Sequence, residues 1–199
     1  MNGWLRDPRL YGLLQRAVTR RGCWNIFIER YLRPVPGERL LDLGCGTGLL
    51  TDYLPPLDYW GLDADPEYIR FAQKKTGNQR KFLCADLNRT PWPVSGPFDR
   101  AMATGLLHHL PDEQVVGVME NVRKLLKPRA RFVTFDGCYE QRQSPAARWL
   151  LSMDRGKYVR TPEAYLALAR VVFPRVEFHI ERRLLRVPYS HLIMESSVE

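Results

Sequence analysis

The chain has no long hydrophobic run. In its 199 residues no window reaches transmembrane length, and the N-terminus sets arginines at 6 and 9 among scattered apolar residues instead of the continuous apolar stretch of a secretion signal. A cytoplasmic protein without membrane attachment is the expectation. Cysteine is scarce: residues 23, 45, 84 and 138 are widely spaced with no CxxC pair, so neither a zinc knuckle nor a redox dithiol is suggested and no metal site is expected. Internal repeats, low-complexity stretches and a lysine-rich tail are absent too. The apolar share of 45% and the length suit one α/β domain with a sizeable core.

Thirty basic residues against 22 acidic ones give a formal charge of +8, which raises the question of nucleic acid. The cations are spread over Arg20-Arg21, Arg123 to Arg131, Arg142 to Arg160 and Arg182-Arg183-Arg186, with acids interspersed. Solvated faces are the reading that pattern favours, an anionic or carrier-borne small substrate comes next, and RNA comes third.

The periodicity alternates. Leu10 to Val18 and Trp24 to Leu32 have helical apolar spacing and are closed by Pro34, Pro36 and Gly37. Strands are predicted at Leu40 to Leu43, Tyr59 to Leu62, Lys81 to Cys84, Phe98 to Ala103, Arg131 to Phe135, Val176 to Ile180 and His191 to Glu195. Between them, a short helix follows Leu49, and Asp65-Pro66-Glu67, Ser144-Pro145 and Thr161-Pro162-Glu163 each pair an N-cap with a first-turn proline. Asp112 is the expected N-cap of a helix carrying Val115, Met119, Val122 and Leu126, while Asn88 to Pro97 reads as a loop anchored by Trp92. This alternation implies a doubly wound, mostly parallel sheet with ligands at the carboxyl ends of the strands.

The segment LLDLGCGTG, Leu40 to Gly48, reads as a buried strand entering a glycine turn. Glycines 44, 46 and 48 let the backbone bend and approach a ligand. A dinucleotide fingerprint would need GxGxxG or GxGxxA, but the third small position is occupied by Leu49, and Asp42 would repel a pyrophosphate. That carboxylate suits a ligand bringing positive charge, such as the sulfonium and ammonium groups of S-adenosylmethionine.

Here the chain resembles class I S-adenosylmethionine-dependent methyltransferases of the bacterial small-molecule type, from about Pro36 onward. The family's first motif is matched by Asp42, Gly44, Cys45, Gly46, Thr47 and Gly48; Asp63-Ala64 follows strand two, Ala85-Asp86-Leu87 follows strand three, and Thr104-Gly105-Leu106-Leu107-His108-His109-Leu110 follows strand four. The resemblance implies a Rossmann-like seven-stranded α/β sheet with an antiparallel last strand. It further implies ribose contacts at Asp63, adenine contacts near Asp86 and Leu87, further cofactor contacts at Ala64 and Thr104, and a lid residue at Tyr11. As one domain the chain divides into a helical cap (1–36), a cofactor-binding core (37–137), a candidate substrate-covering insertion (138–160) and a closing helix and strand pair (161–199). Methyl transfer proceeds by in-line displacement, giving S-adenosylhomocysteine, and needs a base only for a protonated acceptor. His109, ahead of His108, is the candidate base, and Tyr158 and Arg160 are candidate contacts for a small or carrier-linked substrate. An RNA or protein methyltransferase, or an idle cofactor-binding partner protein, is the alternative. Neither acceptor nor oligomeric state is implied.

Overall fold

The computed structural model describes residues 19–154 and 156–198, so the predicted helix from Leu10 to Val18 lies outside the described residues. A short helix α1 (Cys23–Ile26) runs directly into π-helical turns at Phe27–Leu32, and Arg33 ends them in the left-handed region at φ 48°. Seven strands follow: β1 (Arg39–Leu43), β2 (Asp58–Asp63), β3 (Lys81–Cys84), β4 (Phe98–Thr104), β5 (Leu126–Gly137), β6 (Arg175–Glu181) and β7 (His191–Ser197). They form one sheet in the order β3-β2-β1-β4-β5-β7-β6. The first five pair in parallel, and β7 lies antiparallel to both β5 and β6.

Helices cover both faces. They are α2 (Pro66–Thr76), α3 (Asp112–Leu125), α4 (Pro145–Ser152) and α5 (Pro162–Val172). Leu41, Leu43 and Ala101 pack with Val115, Met119, Tyr165 and Phe173 in one buried cluster, while Leu40, Met102 and Val133 pack with Phe27, Tyr59 and Ile69 in the other. Apolar residues must point both ways from such strands, which is why LLDL reads as an unbroken run and not as an alternation. Cys23, Cys45 and Cys138 are buried in these layers, and Cys84 is exposed.

Three predicted caps form. Asp65 accepts from the amide of Glu67 at 2.8 Å, Ser144 from Ala147 at 3.2 Å and Thr161 from Ala164 at 3.3 Å, each ahead of a first-turn proline. Asp112 is not a cap: Pro111 holds that position with no side-chain bond, and the Asp112 carboxylate receives Arg160 instead. Strand β5 starts five residues earlier than the pattern indicates. Leu126 pairs with Phe98, but the register shifts before Arg131 pairs with Arg100, and that irregularity accommodates Pro128 and a positive φ at Arg129. Trp92 is buried in its loop and donates Nε1–H to the Leu87 carbonyl at 3.1 Å. Among the described residues no helix is long and apolar enough to cross a membrane, and no group of His, Cys, Asp or Glu could hold a metal ion.

Candidate active site

Parallel register aligns the strand ends: Leu43 lies beside Leu62 and Ala103, and Thr104 beside Phe135. The loops leaving β1, β2, β4 and β5 therefore converge on one edge. At β1 the amides of Gly44 and Cys45 both donate to the Leu62 carbonyl, at 2.8 and 3.0 Å, which folds the chain back over β2. Gly44, Gly46 and Gly48 take φ values of 68°, 53° and 67°, a region costly for any residue with a Cβ. A Cβ on Gly44 would sit 3.2 Å from Leu106, and one on Gly48 would sit 3.0 Å from the Phe82 ring. One on Gly46 would meet nothing within 4 Å, so the turn is packed from behind and open at its middle. The short helix expected after it, from Leu49 to about Leu54, is a four-residue 3-10 turn, Leu49–Asp52.

Two carboxylates brace this turn differently. Asp63, at the end of β2, accepts the Gly46 amide on Oδ2 at 2.8 Å and the Asp65 amide on Oδ1 at 2.9 Å. Its burial raises its pKa despite those amide bonds. Asp42 is buried within β1 and receives the Tyr59 hydroxyl at 2.6 Å, while its Oδ1 is buried with no hydrogen-bond partner. Burial pushes its pKa up to about 7, the Asp63 charge adds to the rise, and the Tyr59 bond opposes it. Sequence reasoning missed Gly61, whose absent side chain makes room for Cys45: a Cβ there would lie 2.8 Å from the thiol sulfur.

Of the other expected cofactor residues, Thr47 and Leu87 are buried, Thr104 is half-buried and Ala64 is exposed. Asp86 is exposed and closes its own loop, accepting from the Asn88 amide at 3.0 Å. Tyr11 lies outside the described residues.

Behind β4, the 3-10 turn Leu107–His109 carries the two histidines. His108 is buried: its Nδ1 lies 2.8 Å from Asp136 at the end of β5, and its Nε2 lies 3.4 Å from Asp154 after α4. Burial disfavours its charged form, but the bond and charge of Asp136, with the charge of Asp154, outweigh that and raise its pKa. Asp154 in turn takes the Tyr189 hydroxyl at 2.6 Å and the Gly156 amide at 2.8 Å. Its burial works upward, yet these bonds leave its pKa lowered. His191, fully buried and stacked on Phe135 at 4.4 Å, is held neutral by burial and by the charge of His108, with a pKa of about 3. His109 is exposed, its ring centroid 4.3 Å from that of His108.

Arg160, an expected substrate contact, lies beside the histidine turn. Its guanidinium is 8% exposed and is spent within the chain, donating to the carbonyls of Leu107, Leu110 and Tyr158 and to Asp112. Tyr158 is exposed, and its amide donates to the His108 carbonyl at 2.9 Å. Together they tie segment 156–160 across the histidine turn. Asp136 was legible by the rule that picked Asp63, since it too follows a strand. Asp154 carried no sequence signal.

Residues 40–129 match a family model described as a methyltransferase domain. The chain is 30% identical over 131 residues to a ubiquinone biosynthesis O-methyltransferase of Bradyrhizobium diazoefficiens, covering 64% of this chain and 49% of that protein. It is 29% identical over 189 residues to an O-methyltransferase of Pyrenophora dematioidea, covering 83% and 67%. The segment from Leu40 to Arg129 is thereby placed in the methyltransferase domain family. The chain spans about half the length of the first of these relatives. A solved complex of the Haloferax volcanii Trm112 methyltransferase activator with a methyltransferase superposes at a TM-score of 0.72 with 16% identity, covering 98% of this chain and 96% of that one, which shows a shared fold. The family's cofactor fits the site. The turn presents a glycine hydrogen at its open middle, a carboxylate stands beside it, and the orphaned buried oxygen of Asp42 suits a cationic ligand over a phosphate.

Proposed function

We propose that this methyltransferase acts on a small or carrier-linked acceptor carrying a hydroxyl, with His109 taking the acceptor proton. The observation that carries the reading is the contact between the two turns: Leu106, which leads into the histidine turn, lies against Gly44, so the cofactor seat and the histidines share one edge. Gly44 to Gly48, Asp63, Ala64, Asp86, Leu87 and Thr104 would hold the cofactor, and Asp42 would favour its positive charge. When bound, S-adenosylmethionine supplies a methyl group activated by a positively charged sulfur. His108 orients the turn through Asp136 and Asp154, and the exposed His109 beside it would take the proton. Both sequence relatives are named as O-methyltransferases, which supports a hydroxyl acceptor.

The same structure gives less support to RNA as substrate. Arg33, Arg39, Arg100, Arg131, Arg160 and Arg182 each pair with a carboxylate of the chain itself, leaving fewer cations for a phosphate track.

Calorimetry should show binding of S-adenosylmethionine and S-adenosylhomocysteine; failure of both alongside binding of NADH sinks the reading. With an accepted phenol or carrier-linked hydroxyl, His109→Ala should cut turnover by about 10²- to 10⁴-fold while cofactor affinity stays nearly constant. An unchanged turnover would remove His109 from the chemistry.

A further inference from the structure

Strand β6 closes the sheet on one side, paired with β7 alone, and no other strand among the described residues lies along its outer edge. An edge strand offers a row of unpaired N–H and C=O groups to any strand that can meet it, unless it is short, bulged, broken by proline or lined with charges that the incoming strand does not complement. The opposite edge is protected in that way: β3 has four residues and begins with an exposed lysine. Strand β6 has seven residues, Arg-Val-Glu-Phe-His-Ile-Glu, in unbroken register with β7, with neither proline nor glycine. At its centre Phe178 is 44% exposed, and Val171, near the end of the preceding helix α5, is 69% exposed.

The sequence of β6 complements itself about Phe178. In an antiparallel pairing centred there, Arg175 faces the partner's Glu181, Val176 faces the partner's Ile180, Glu177 faces the partner's His179, and Phe178 faces the partner's Phe178. Apolar residues then meet on one face, and complementary polar residues meet on the other. Slipping by two residues destroys the match, because Glu177 would face either the partner's Glu177 or the partner's Glu181. Slipping by one places Glu177 against the partner's Phe178 on the wrong face. One register is therefore specified by charge and by pleat. The side chains of Arg175, Glu177 and His179 are 70%, 56% and 43% exposed, while Glu181 is 22% exposed and holds Tyr31 and Arg30 of its own chain on Oε1, so that Oε2 is the atom that would take the partner's Arg175. Arg175 contacts Glu177 of its own chain at 2.7 Å, at the surface, and from there can also reach a carboxylate across the axis.

We infer that two copies of this chain pair through β6 about a two-fold axis at Phe178, joining their sheets into one. Such an interface is isologous and closes on itself, so it yields a dimer and not a filament. The two strand ends that carry the active sites stay outside the new seam, since β6 is separated from β4 by β5 and β7.

Light scattering coupled to gel filtration on the full chain should give about twice the 23.2 kDa chain mass at micromolar concentration. Phe178→Lys puts two cations face to face and should return the monomer with unchanged circular dichroism. As a check that does not depend on that variant folding, Phe178→Cys in a Cys84→Ser background should form an intermolecular disulfide under mild oxidation. It should do so far faster than Arg89→Cys, a surface control whose side chain is 87% exposed. A monomeric wild-type chain, a dimer that survives Phe178→Lys, or cross-linking of Phe178→Cys no faster than the control would each overturn the proposal.

Discussion

Two carboxylates on neighbouring strands, Asp42 in β1 and Asp63 in β2, carry different burdens. Asp63 is spent on amides: one bond holds the glycine turn and the other holds the entry to α2. Asp63→Ala should weaken S-adenosylmethionine binding by about 1–3 kcal/mol, the scale of losing charge-assisted hydrogen bonds, and calorimetry would read it directly. An unchanged dissociation constant would remove it from the cofactor seat. Asp42 is a question of protonation. Its folded-state pKa of about 7 lies above the ordinary carboxylate value of 3.8, so the folded chain holds a proton that the unfolded chain releases. Its contribution to stability consequently falls as pH rises from about 4 to about 7 and is constant above that. A cation bound next to it favours the ionised form. Cofactor binding below neutrality should then release a proton, with affinity rising as pH climbs from about 5 to about 8. Calorimetry in buffers of different ionisation heat would count that proton, and Asp42→Asn should abolish its release.

At the scale of elements, Asp154 and the segment from Gly156 to Arg160 tie down the histidine turn as a strap does. Arg160 clamps three carbonyls and a carboxylate, Tyr158 bonds the His108 backbone, and Asp154 meets the His108 ring. Arg160→Ala leaves the buried Leu107 and Leu110 carbonyls without this donor and should cost about 2–4 kcal/mol of stability in urea unfolding, with Arg160→Lys recovering little because the fork geometry is lost. The residue types in this strap suggest a substrate contact, and the intrachain role of Arg160 was not legible for a general reason. Apart from the Tyr158 carbonyl, its partners are about 50 positions away in sequence, so nothing local shows whether an arginine is spent on backbone or left for a ligand. Asx and Ser/Thr caps followed by proline were legible because both partners lie within one turn of helix. Asp112 broke that pattern because a distant guanidinium took its carboxylate.

For the whole molecule, the alternation of strands and helices and the acidic residues after successive strands were enough to anticipate the parallel sheet and the edge where its loops gather. What stayed hidden was lateral: which face each side chain takes and what lies opposite it. Gly61 reads as an ordinary strand glycine until β1 and β2 are set side by side, and then it is the space that Cys45 fills. That packing turns the cysteines into a gauge of integrity. Cys84 stands at the surface, while burial pushes the Cys23 and Cys138 thiols up to about 12 and holds Cys45 well above its usual range. A coloured disulfide reagent should therefore count one fast thiol per native chain and four in denaturant. Because Cys45 is covered only while the glycine turn is seated, its slow labelling clocks the opening of that turn, and added S-adenosylmethionine should retard it more than it retards Cys138.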